Sequence, residues 1–195
     1  MQFAYENGKT IANIKSYGAS DVVQFHACTG THIVLMNVDT CRILTGYSNA
    51  DIKRFINNKS TDLTYQDLTG KQIKIVPVIL KDIVIGVGND EAMTIPEFKV
   101  FLTSENILWN ILGMDFLSAC SASFDNRGMT LHELDDRIYH SNFVCSCNGH
   151  RIYEIGEIMS DMSSGSLWEI LKSAEGNSIR DVYDDLRPER YGLKD

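Results

Sequence analysis

The chain has 195 residues, an apolar share of 44% and a formal net charge of −8. That length suits one domain with an extension, and the apolar share is ordinary for a globular core rather than a disordered chain. Scattered basic residues on an acidic chain work against nucleic acid or an anionic membrane as partner, since either needs a concentrated basic face.

The apolar runs are broken by Lys, Asp or Asn before bilayer length, and Glu6 and Lys9 interrupt the start where an export signal would need an apolar stretch. Five cysteines without a regular framework read as reduced thiols, so a soluble, cytoplasmic protein is expected.

From the N-terminus, Asn7-Gly8 between short runs predicts a two-residue hairpin with Glu6 opposite Lys9, because both turn positions favour positive φ. Val22 to Cys28 is a strand, turned by Thr29-Gly30-Thr31 into His32 to Val38, a continuous apolar run that reads as a strand buried on both faces. Ser48 to Ile56 is a short helix, capped by Ser48 or Asn49 with Asp51 in its first turn. Residues 57–63 are polar and expected exposed. Two strands then flank Thr69-Gly70, where glycine permits a sharp tip and close contact with a ligand.

Ile83 to Gly88 and Phe98 to Leu102 are further strands, with Lys99 alternating with apolar neighbours as on a half-exposed strand. Ile107 to Leu112 leads through Gly113 into a helical turn at 115–119, and Asn126-Arg127-Gly128 tips another hairpin. Short strands with a turn signal every ten or so residues argue for a closed or nearly closed β-barrel. Beyond Asp135, Asn142 to Ile155 reads as a hairpin around Asn148-Gly149. Helices follow at about 166–174 and 177–186, the first opened by the capping box Ser166 to Glu169 and the second ended by Pro188.

Two stretches carry a family resemblance. Val38-Asp39-Thr40-Cys41-Arg42-Ile43-Leu44-Thr45 and Ile111-Leu112-Gly113-Met114-Asp115-Phe116-Leu117 together resemble the retropepsin-like aspartic proteases. That family has a strand ending Asp-Thr-Gly-Ala-x-x-Thr and a later buried strand ending Ile-Leu-Gly-Met-Asp-Phe-Leu. The second motif is intact here; the first has Cys41 in place of the family glycine. The resemblance covers 22–134. It implies a mainly β, retropepsin-like acid-protease barrel over 1–134; beyond the resemblance, 135–195 reads as a C-terminal extension of one β-hairpin and two helices.

The resemblance further implies an aspartic endopeptidase acting on a peptide or protein substrate, without cofactor or metal. Asp39 and Thr40 would be its catalytic residues, and one such motif per chain requires a homodimer to bring two Asp39 carboxylates together. Cys41, Thr69 and Gly70 would touch substrate, the last two from a flap over the cleft. Ile111, Leu112 and Gly113 would support the aspartate loop from beneath.

Cys41 adds a methylene and a thiol beside the reacting groups. If its backbone needed positive φ, it would be strained by about 1 to 2 kcal/mol, and an accessible thiol there could be oxidised. On that view the wild type is impaired and Cys41→Gly raises cleavage. The alternatives are a catalytically inactive binding module on the same fold, and a metal-binding hairpin using Cys145, Cys147 and His150, which lacks a fourth ligand.

Overall fold

β1 (Gln2–Glu6) and β2 (Lys9–Ser16) are antiparallel, with Glu6 opposite Lys9 as the sequence predicts. Along β2, Thr10, Ala12 and Ile14 point into the core between more exposed neighbours, the period-two pattern of a half-buried strand. The computed structural model describes residues 1–6, 9–59, 61–66, 70–89 and 91–158, so the Asn7-Gly8 turn and the helices expected after residue 165 lie outside the described residues. Of two compact units, the first runs from Met1 to Ile155 and the second begins at Gly156.

β3 (Val23–Ala27) pairs with β2 and is followed by β4 (Leu35–Asn37), α1 (Val38–Thr45) and α2 (Asn49–Asn58). The small sheet of β5 (Thr64–Gln66) and β6 (Gln72–Lys74) precedes the long hairpin β7 (Val76–Ile85) and β8 (Met93–Thr103). Next come β9 (Asn110–Leu112), α3 (Met114–Leu117), the hairpin β10 (Ser123–Asp125) and β11 (Gly128–Thr130), then α4 (Asp136–Ser146) and β12 (Tyr153–Glu154).

Pairing runs β2-β3-β9-β4-β8-β7 and returns from β7 to β2, closing a six-stranded barrel and removing its edges. β1, β11 and β10 extend as an arm from β2, and β12 lies parallel to β7. Phe25, Phe98, Phe116 and Tyr139 stack edge to face, with centroids 5.3 to 6.2 Å apart, from the barrel interior to α4. Each such pair adds roughly 0.5 to 1.5 kcal/mol beyond the area it buries. Among the described residues no helix is long and apolar enough to cross a membrane.

Three local expectations are corrected. Val38 to Thr45 is helical, so the strand before it is shorter than its apolar run suggests and Asp39 sits in a helix's first turn. Asn142 to Ile155 is not a hairpin: Asp135 caps α4 by accepting from the amides of Arg137 and Ile138, and Tyr139, Phe143 and Cys147 bury one helical face. Asn148 and Gly149, at φ 49° and 79°, turn the chain just past the end of that helix. The hairpin that would have faced Cys147 with His150 is therefore absent. His150 instead points Nδ1 at the Cys147 carbonyl at 3.0 Å and Nε2 at Asp62, whose hydrogen bond raises the imidazole pKa and lowers its own.

Lys99 is the third correction. It is fully buried rather than half-exposed, because α4 covers the face of β8 that alternation had assigned to solvent. Its ammonium reaches the Asp136 carboxylate at 3.2 Å, and its backbone amide donates to the Tyr139 hydroxyl at 3.0 Å, so the stem is buried while the head finds a partner near the surface.

Candidate functional site

α1 is set by its caps. The Asn37 side chain accepts from the Thr40 amide at 2.9 Å, and Gly46, at φ 78°, ends the helix by donating its amide to the Arg42 carbonyl at 2.8 Å. Asp39 is exposed in the first turn, where the helix dipole favours an anion, and Asn49 of α2 donates to its Oδ1 at 2.7 Å. Thr40 is buried, and its hydroxyl donates to Asn110 Oδ1 at 3.0 Å within the same chain. Asn110 in turn donates to the Gln24 carbonyl at 3.0 Å, which ties α1 to β9 and β3.

Cys41 is fully buried in this helix. It is not among the residues with positive φ, so the strain expected there does not arise. Burial pushes its thiol up to about 12, which leaves it inert rather than oxidisable. Cys41→Gly is therefore expected to destabilise the barrel by about 2 to 3 kcal/mol, through lost helix propensity and a small cavity, without raising cleavage. Denaturant unfolding of the two proteins checks this, and equal midpoints would contradict it.

Ile111, Leu112 and Gly113 do lie under a loop, but it is formed by residues 28–33. β9 runs parallel to β3, with His26 opposite Ile111 and Ala27 opposite Leu112, and the Cys28 amide donates to the Leu112 carbonyl at 3.0 Å. The Met114 amide donates to Thr31 at 2.8 Å and that of Asp115 to His32 at 2.7 Å. A Cβ on Gly113 would stand 2.2 Å from the Ile33 carbonyl oxygen, so this glycine serves close approach rather than an unusual φ.

The loop seated on the Ile-Leu-Gly strand is thus Cys28-Thr29-Gly30-Thr31 and not Asp39-Thr40-Cys41. Sequence reasoning passed over it as an ordinary turn. Thr-Gly directly after an apolar strand was the available signal, masked by the aspartate at 39.

A groove of about 530 Å³ opens beside this loop. Cys28, Thr29 and Gly30 line it, with Trp109 and Ile111 from around β9 and Tyr65 from the β5–β6 pair. Asp39, Thr40, Cys41 and Gly70 are not on its wall, and Thr69 lies outside the described residues. Gly70 has φ 85°, as expected of a tight hairpin. The Lys9 ammonium sits 3.9 Å over the Trp109 ring and His26 stacks on that ring at 5.2 Å. Burial, and secondarily Lys9, hold the His26 imidazole below its usual range. Among the described residues no group of three or more His, Cys, Asp or Glu could hold a metal ion.

The closed six-stranded barrel, with the Ile111-Leu112-Gly113 strand packed under the 28–33 loop, is consistent with a retropepsin-like fold. No family model and no curated protein matches the chain. Among solved structures it is similar to a retropepsin-like aspartic protease from Rickettsia conorii, at 15% identity and a TM-score of 0.48, over 67% of this chain and 88% of that one. It is also similar to the EIAV protease in complex with the inhibitor HBY-793, at 16% identity and TM-score 0.34, over 60% and 90%. A third is the retroviral protease-like domain of Ddi1 from Leishmania major, at 12% and 0.38, over 70% and 98%.

Proposed function

We propose that the chain is a peptide- or protein-binding module that keeps the retropepsin-like barrel without a paired-aspartate centre. The observation supporting this is the loop over Ile111 to Gly113: it offers a thiol at Cys28, and among the described residues no carboxylate lines the groove beside it. What remains is a cleft of aromatic walls and threonine hydroxyls, suited to holding an extended peptide.

An endopeptidase acting through Asp39 is the second reading. It is favoured by the exposure of that carboxylate and by Asn49, which orients it. Two such groups brought together across a homodimer would share one proton, one acting as base on water and the other as acid. The test is incubation of a soluble peptide library with wild type and Asp39→Asn, read by mass spectrometry for cleavage and by equilibrium dialysis for binding, with sedimentation for oligomeric state. Retention of peptides by both proteins without cleavage is the expected result. Cleavage that disappears in Asp39→Asn, together with a dimer, would overturn it.

A further inference from the structure

The groove wall has a chemistry of its own. The chain carries 26 acidic against 18 basic residues, yet among the described residues the groove is lined by the basic side chains of Lys9 and His26 and by no Asp or Glu. Lys9 is held in place by the Trp109 ring, and an ammonium resting on a π-face still has donors directed away from it. The contact therefore restrains the ammonium without neutralising it. Thr10 and Thr31 add hydroxyls to the same wall, while Tyr65, Trp109 and Ile111 give it an apolar floor.

We infer that the groove selects acidic-apolar peptides: an apolar side chain packs on Trp109 and Ile111, and a neighbouring carboxylate meets the Lys9 ammonium. The inference rests on the peptide-binding reading and adds the ligand class to it. An immobilised cation favours the charged peptide over its amide isostere because less side-chain freedom is lost when the pair forms. Trp109 serves both halves, as the apolar surface and as the support for Lys9.

The probe is a pool of random apolar hexapeptides carrying either Glu or Gln at one position, equilibrated with the full chain at about 20 mM salt, where screening is weak. Retained peptides are counted by mass spectrometry. Wild type should enrich Glu over Gln about fivefold, the discrimination given by a partly exposed ion pair. Lys9→Gln should abolish that enrichment while retaining apolar peptides, and Trp109→Ala should lose both. Thermal melts of the variants establish that they fold, and Lys9→Arg, which keeps the charge, should keep the enrichment, showing that Lys9→Gln acts through the charge.

Equal retention of Glu and Gln peptides by wild type, or enrichment that survives Lys9→Gln, overturns the inference and leaves peptide binding standing. Retention of neither pool removes the peptide-binding reading and the inference with it.

Discussion

Cys28→Asp is expected to cleave apolar peptides at least ~100-fold faster than wild type, the scale of general acid–base catalysis. The substitution puts a carboxylate at the end of β3, ahead of Thr29-Gly30, on the loop that β9 supports through the Cys28 amide and Gly113. Two such chains supply the pair of carboxylates that share one proton, so activity should rise with dimer concentration and peak in mild acid. Cys28→Asn, of the same size without the acid, should stay inactive. The measurement is cleavage of the peptide library across pH by wild type, both variants and Cys28→Asp/Asp39→Asn. A folded Cys28→Asp that cleaves nothing would show that the loop over Ile111 to Gly113 is not the family's catalytic loop. Activity that depends on Asp39 would return the chemistry to α1.

Gly113→Ala should be the most damaging small substitution in the site. The backbone there is extended, at φ −91°, a conformation alanine adopts freely, so the cost is one of space alone. The added Cβ would meet the carbonyl oxygens of Ile33 at 2.2 Å and His32 at 2.6 Å. Neither can easily yield, since His32 already accepts from the Asp115 amide and the Thr31 carbonyl just before it accepts from Met114. Overpacking against backbone should cost about 3 kcal/mol or more, and a chain of this size should then melt roughly 6 to 12 °C lower. Gly30→Ala is the matched control: its nearest neighbour would be the Cys28 sulfur at 3.9 Å, an ordinary contact, and its φ is not positive. Equal melting of Gly113→Ala and wild type would mean that β9 does not lie this close under the loop.

Much of the fold was legible along the chain. Ser48 does cap α2, its side chain accepting from the Asp51 amide, because capping is a contact between residues three apart. The β10–β11 hairpin follows its turn residues, and the alternation in β2 carries its buried face. Where local signals were ambiguous they misled. Asn148-Gly149 supplies two left-handed residues, which suit a hairpin tip and a helix end alike, and only the packing of Tyr139 and Phe143 against the barrel selects the helix.

Legible in the residues alone were a barrel of short strands and an intact Ile-Leu-Gly strand whose glycine allows close approach, with Asp39-Thr40 expected as the loop above it. Tertiary structure decided which loop that is. Asp39-Thr40 and Thr29-Gly30 each keep part of one motif, at different places in the chain. The choice between them rests on β9 lying parallel to β3 with its carbonyl at Leu112 bonded to Cys28, a pairing between residues more than eighty positions apart. Strand pairing of that range depends on how the whole barrel closes, which no local pattern of residues encodes. The same closure put α4 over β8 and buried Lys99, because the solvent face of a strand is fixed by what packs on it and not by alternation alone.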